Sequence, residues 1–281
     1  IWFHQVQAMF ATGHAQSGKN PELRTLLLQL ARLLCMPVHV VFVFDGPARP
    51  ARKWGKCVVP TDHWMVNTMK GFIIVFGFDW WMAPGETEAE LAYLNQLGFI
   101  DGVMTDNSDA LLIGARTVIQ TYNAKAKEFL VIHADSIYNH PNVQLLRKDM
   151  LLIALLLGGW PRVAHGLARY RSGQQLSDAI RAHGLHSKKF MEFLRGWQAA
   201  MQRALRTDDK KLLGRRYPAL TTQIPETFPD IDIIDWYRNP ATSSHDELDL
   251  NNPQPPNMVQ LGLLCEHYFS WGTRSGIVKH F

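Results

Sequence analysis

Residues 83–113, APGETEAELAYLNQLGFIDGVMTDNSDALLI, constrain the fold more than any other stretch of the chain. Glu86, Glu88 and Glu90 open a run read as a helix, and Asp106 and Asp109 follow Gly102–Thr105, read as a buried strand. A third acid, Asp45, ends the run Met36–Phe44, whose nearly continuous apolar character predicts a strand buried on both faces. Strands that each close on carboxylates predict an α/β fold with a mostly parallel central sheet flanked by helices, where active groups collect outside the carboxyl ends of the strands. Like charges crowded at one edge repel. A hard divalent cation such as Mg2+ or Mn2+, which takes oxygen ligands, would neutralise them. Two such ions roughly 3.5–4 Å apart clamp the attacking and leaving oxygens of a phosphodiester, so metal-assisted hydrolysis is the leading expectation.

Helical spacing sets a condition on that pocket. Glu86 and Glu90 share a helix face at i, i+4, whereas Glu86 and Glu88 do not. Glu86 and Glu88 can face one metal only if Glu86 lies in the cap region, ahead of the helical repeat. Acids in a first turn also simply favour the helix dipole.

The remaining chain narrows the function classes. At 281 residues and 47% hydrophobic content it can bury a substantial core, in one large or two smaller domains. Cys35, Cys57 and Cys265 lack any CxxC spacing, which argues against a disulfide framework or a zinc site and fits a reducing intracellular compartment. Met150–Leu157 is too short to span a bilayer, and no signal peptide is visible, so no membrane role is expected. The net charge is only +4, but residues 181–216 hold ten Lys or Arg against three acids. Such a surface suits a polyanion; a solvated helical face is the alternative. Arg49, Arg52, Lys53 and Lys56, just after Asp45, form a second basic stretch able to hold a phosphate or to serve as a plain charged loop.

Gly13–Lys19, GHAQSGK, fits the outline of a phosphate-binding loop. Asn20 follows where Ser or Thr should reach Mg2+, Pro21 comes next, and no strand pattern precedes it, so an NTPase is not expected. Ile1–Ala11, Pro21–Leu34, Thr61–Phe76, Glu86–Gln96, Val163–Tyr170, Leu176–Ala182, Lys189–Leu205 and Val259–Phe269 read as helices, Pro21–Leu34 by the helical period of its leucines. Trp80–Ala83 reads as a short strand and Thr242–Asn257 as a linker. The stripe Leu261, Leu264, Cys265 and Phe269 is expected in the core.

VFVFDGP, APGETEAELAYL and MTDNSDALLIGA, in this order, resemble the XPG family of structure-specific nucleases, over roughly residues 1 to 170. The resemblance implies a nuclease core over residues 1–159, a helical DNA-binding region over 160–281, and metal ligands at Asp45, Glu86, Glu88, Asn107 and Asp109. It also implies two Mg2+ ions, with Mn2+ as a substitute, and a helix-two-turn-helix that grips duplex backbone with a K+ ion. With the charge pattern, it marks Arg49, Arg52, Lys53, Lys56, Lys188, Lys189, Lys210, Lys211, Arg215 and Arg216 as DNA contacts. The short basic segment between Asp45 and Glu86, and the runs NPELRTLLLQLARLL and GETEAELAYLNQLGFIDGVMTD, look most like the GEN/Yen Holliday junction resolvases. That branch implies a homodimer making paired nicks in a four-way junction in the nucleus. A 5′ flap endonuclease is the nearest alternative.

Three departures accompany the resemblance. Position 107 is Asn where the family pattern has Asp. An amide coordinates through its carbonyl oxygen but brings no charge, so metal affinity and turnover should fall. A substitution made to trap uncut substrate would explain it; if Asn107 is natural, a catalytically dead branched-DNA-binding protein becomes the competing reading. The family also has an Asp upstream of a segment like Ile1–Trp2–Phe3. Finally, Gly158–Gly159 runs into Trp160–Pro161 without the Asp and turn expected there, as though flanking segments had been joined.

Overall fold

The computed structural model describes the chain except residues 1, 11–17, 51, 54–55, 58–60, 124–127, 157–160, 226, 245–253 and 281. Most of the GHAQSGK segment, the Gly158–Trp160 junction and the middle of the 242–257 linker therefore lie outside the described residues. Along the chain run α1 (Trp2–Phe10), α2 (Pro21–Leu34), β1 (Val41–Phe44), β2 (Arg52–Lys53), β3 (Lys56–Cys57), α3 (Val66–Val75), β4 (Asp79–Met82) and α4 (Thr87–Leu97). Next come β5 (Val103–Met104), α5 (Asp109–Ile113), β6 (Thr117–Asn123), β7 (Glu128–His133), α6 (Ala134–Asn139) and α7 (Arg147–Leu156). The last helices are α8 (Pro161–Arg169), α9 (Ser172–His183), α10 (Lys188–Thr207), α11 (Ile231–Arg238), α12 (Met258–Phe269) and α13 (Arg274–His280). They form two compact units, residues 1–90 with 241–281, and residues 91–240.

In the first unit, β1 pairs parallel with β4, from Val41 opposite Asp79 to Phe44 opposite Met82. The leucine stripe of α2 is buried as its periodicity predicts: Leu23, Leu26, Leu27, Leu30 and Leu33 meet Met69, Phe72 and Ile73 of α3 and Leu261, Cys265 and Phe269 of α12. Each such side chain, taken fully out of water, contributes about 1.5–3 kcal/mol. The chain returns to this unit through a close approach at Gly77. A Cβ there would stand 1.9 Å from the Gln254 carbonyl oxygen, and the Asn257 N–H donates to Val75 O at 2.8 Å. Lys19, which ends the GHAQSGK segment, and Asn20 after it donate to the carbonyls of His267 and Tyr268 at the end of α12. They cap a helix.

The strand expected over Met36–Phe44 is shorter and less buried than its composition implies. Only Val41–Phe44 is strand, all four residues are half-buried, and Val38 is 53% exposed. Pro37 lacks an N–H to give to a ladder, and among the described residues β1 pairs with β4 alone.

The second unit has its own parallel pair, β5 beside β6, and β6 turns back antiparallel into β7. Val103 and Val118 are fully buried where β5 meets β6, while Met104 points outward. Beyond them lie the helices α7 to α11. In α10, Phe190, Leu194, Trp197, Met201 and Leu205 are buried, and Lys188, Lys189, Arg195, Arg203 and Arg206 are exposed. Helix α8 passes into α9 through Tyr170 and Arg171, the latter at φ 63°. Among the described residues no helix is long and apolar enough to cross a membrane. Cys35 and Cys265 are free thiols, and burial pushes the Cys265 thiol up to about 11.

Candidate active site

In the first unit two turns zip together. After β1, the Gly46 N–H donates to Gly85 O at 2.7 Å and the Ala48 N–H to Pro84 O at 2.9 Å. A Cβ on Gly46 would lie 1.7 Å from the Ala83 carbonyl oxygen, so only glycine allows the approach. The result sets Asp45 against the start of α4. Its Oδ1 accepts from the Thr87 N–H at 2.9 Å and from Thr87 Oγ1 at 2.7 Å. The carboxylate thereby satisfies one orphan N–H of the helix start and faces the positive end of its dipole. Its other oxygen stands 3.5 Å from Arg49 Nη1, with the Asp45 side chain still 43% exposed. Arg49 Nε donates to Gly46 O. Arg49 is therefore engaged with the turn, and a phosphate-holding role would have to be shared with it.

Glu86 meets the condition set by helical spacing. It precedes α4, and its carbonyl accepts the Glu90 N–H at 3.2 Å, so it occupies the cap position with its side chain buried. Glu88, two residues on, is half-buried. Glu90 has a separate job. It is 0% exposed, and its two oxygens accept from Trp81 Nε1–H and the Ser243 N–H, both at 3.0 Å. That carboxylate ties β4 to the returning chain at residue 243.

In the second unit the expected pair lies at the start of α5. The Asn107 N–H donates to Thr105 Oγ1 at 3.1 Å, and Asn107 Oδ1 accepts the Asp109 N–H at 3.0 Å. The amide oxygen thus performs the turn-forming function a carboxylate would, without its charge. Among the described residues no group of three or more His, Cys, Asp or Glu is spaced to hold a metal ion. By their chemistry, the hard oxygens at each helix start, of Asp and Glu in the first unit and of Asn and Asp in the second, suit Mg2+ or Mn2+.

Of the predicted DNA contacts, Arg52, Lys53 and Lys56 share the short β2–β3 hairpin, with Lys53 opposite Lys56; their side chains lie outside the described residues. Lys188, Lys189, Lys210, Lys211, Arg215 and Arg216 are all exposed in the second unit. Sequence reasoning missed Thr87, the partner of Asp45. A hydroxyl in the first turn of a helix directly after an acidic strand end was its available signal.

These layered α/β units with carboxylates at helix starts are similar to known nuclease cores. The XPG I-region family matches residues 77–159. Flap endonuclease GEN homolog 1 of Mus musculus is 30% identical over 162 residues, covering 50% of this chain and 17% of that protein. A crystal structure of the Holliday junction-resolving enzyme GEN1 with product DNA and Mg2+ matches at TM-score 0.76 and 29% identity, covering 99% of this chain and 66% of that one. A structure of the junction-resolving enzyme GEN-1 with potassium matches at TM-score 0.77 and 27% identity, with the same coverages. The chain is similar to proteins of the XPG/flap-endonuclease family, and among them to the GEN branch. It spans under a fifth of the length of the mouse relative.

Proposed function

We propose that this chain is the nuclease part of a structure-specific endonuclease that acts on branched DNA, four-way junctions first, by metal-assisted phosphodiester hydrolysis. The observation that carries the reading is the zipped turn that delivers Asp45 to the start of α4, one residue after the buried Glu86. The proposed ligands are Asp45, Glu86, Glu88, Asn107 and Asp109. Mg2+ or Mn2+ bound by them would supply Lewis-acid activation of water and neutralise charge developing on the phosphate. The chain's own part is to hold those oxygens in place: Thr87 fixes Asp45, the cap geometry fixes Glu86, and Asn107 braces Asp109. Cations of the second unit hold the DNA backbone, an attraction whose strength falls steeply with salt. Residues 1–159 would carry the cutting chemistry and 160–281 the grip, with K+ near the α8–α9 turn, a homodimer on the junction and a nuclear location. The similarity to GEN proteins supports the junction over the 5′ flap as preferred substrate.

The test is Mg2+-dependent cleavage of a four-way junction and a 5′ flap by the full chain and by Asn107→Asp. Paired symmetric junction nicks by the Asp form, with the parent binding but cutting far more slowly, are the expected result. Cleavage of flaps alone would move the protein to the flap-endonuclease branch. Binding without cleavage by either form would leave a branched-DNA-binding module.

A further inference from the structure

Helix α10 ends in an unusual way. Its C-terminal cap is Asp208 at φ 46° and ψ 46°, a left-handed position that glycine usually fills because a side chain there is strained. The acid also lies at the negative end of the helix dipole. Both disadvantages have a local answer. Asp208 is buried, and its Oδ1 takes the Leu213 N–H at 3.0 Å and stands 3.0 Å from Tyr170 Oη. The Leu213 N–H is the main reason its carboxyl titrates below the ordinary range, with Tyr170 assisting. The loop wraps further round the same hydroxyl. Tyr170 Oη accepts the Lys210 N–H at 3.1 Å and is 3.1 Å from Asp209 Oδ1. Burial pushes the Tyr170 hydroxyl up to about 12, so it keeps the proton it shares with these acids.

A second anchor docks the loop. A Cβ on Gly166 of α8 would stand 2.6 Å from Leu213 Cδ2, so the missing side chain leaves the space that Leu213 fills. The loop closes when the Tyr217 N–H donates back to Leu205 O at 2.7 Å. Between these anchors the exposed side chains are almost all basic: Lys210, Lys211, Arg215 and Arg216. Lys210 Nζ lies 5.4 Å from the Tyr170 ring and Arg215 Cζ 4.9 Å from the Tyr217 ring.

We infer that residues 208–216 form a pre-organised backbone clamp for DNA phosphates, and that Tyr170 and Asp208 are positioning residues that hold its cations in place. The inference rests on the DNA-binding reading above and deepens it. A mobile loop would have to be ordered each time it bound; a latched loop has met that entropy cost on folding. Tyr170 and Asp208 touch no DNA in this account and act through the four cations.

The experiment compares junction binding of the full chain at several salt concentrations with that of three variants, alongside thermal unfolding and amide exchange over 209–216. Tyr170→Phe removes the hydroxyl alone. Asp208→Gly removes the acceptor while relieving the left-handed strain, so the fold is kept. The four-fold Lys210→Ala, Lys211→Ala, Arg215→Ala, Arg216→Ala variant removes the cations. Expected are a loss of affinity of about five-fold for each latch variant, faster exchange over 209–216, and an unchanged salt slope. The cation variant should instead reduce the salt slope by about one for each phosphate that is no longer neutralised. If the cation variant binds with wild-type affinity and slope, this surface does not meet DNA and the underlying reading fails here. If it loses binding while both latch variants bind like the parent, only the latch is overturned.

Discussion

The acidic turn of the first unit and the basic loop of the second use one device at opposite ends of a helix. Asp45 accepts the Thr87 N–H and hydroxyl at the start of α4, where the dipole favours a negative charge, and it remains 43% exposed. Asp208 accepts N–H groups at the end of α10, against the dipole, and is buried in a left-handed cap. The first carboxylate stays open to a ligand, whereas the second is spent on its own loop. Local charge therefore misleads in both places: an acid organises the basic surface, and in the acidic turn Glu90 serves as a structural brace.

The contrast can be broken most severely at Asp45. Asp45→Asn in the Asn107→Asp background should bring junction cleavage to background while binding persists, measured by gel assay with Mg2+. Preserved cleavage would remove Asp45 from the catalytic set. Glu90→Gln should lower stability by about 1–3 kcal/mol in urea unfolding, because an amide cannot accept from both Trp81 and the Ser243 N–H. An effect on cleavage with no effect on stability would instead make Glu90 a ligand. Thr87→Val should slow cleavage about ten-fold, with Thr87→Ser restoring it. Mg2+ affinity read by thermal shift should follow the same order.

The smallest effects concern pH. Asp208 titrates below its ordinary range, so its stabilising contribution is full above the unfolded-state value of 3.8 and is lost as pH falls through the folded value. Asp149 is the opposite case: burial raises it, and its charged form is disfavoured in the fold. Asp149→Asn should stabilise the protein slightly at pH 7 and cease to do so toward pH 4. Asp208→Asn should cost stability at pH 7 and nothing below the folded value. Urea titrations at the two pH values check both signs.

Much of the architecture was legible in the residues. The helices α2 and α10 follow from apolar periodicity, and the strand-ending Asp45 and cap-placed Glu86 follow from the order of apolar runs, glycines and acids. Such features depend on neighbours a few positions away. The extent of β1, the β6–β7 hairpin and α13 were not legible, because pairing and burial depend on partners remote in the chain.

Sequence by itself determined which residue types could carry metal and phosphate chemistry and which short segments would become helices. Tertiary structure alone decided what each charge does. Glu90 finds its partner 153 residues away, Lys19 caps a helix 248 residues away, and Asp208 is committed by Tyr170, 38 residues before it. A carboxylate's function is set by the donors that surround it, and those donors are brought together only by the fold.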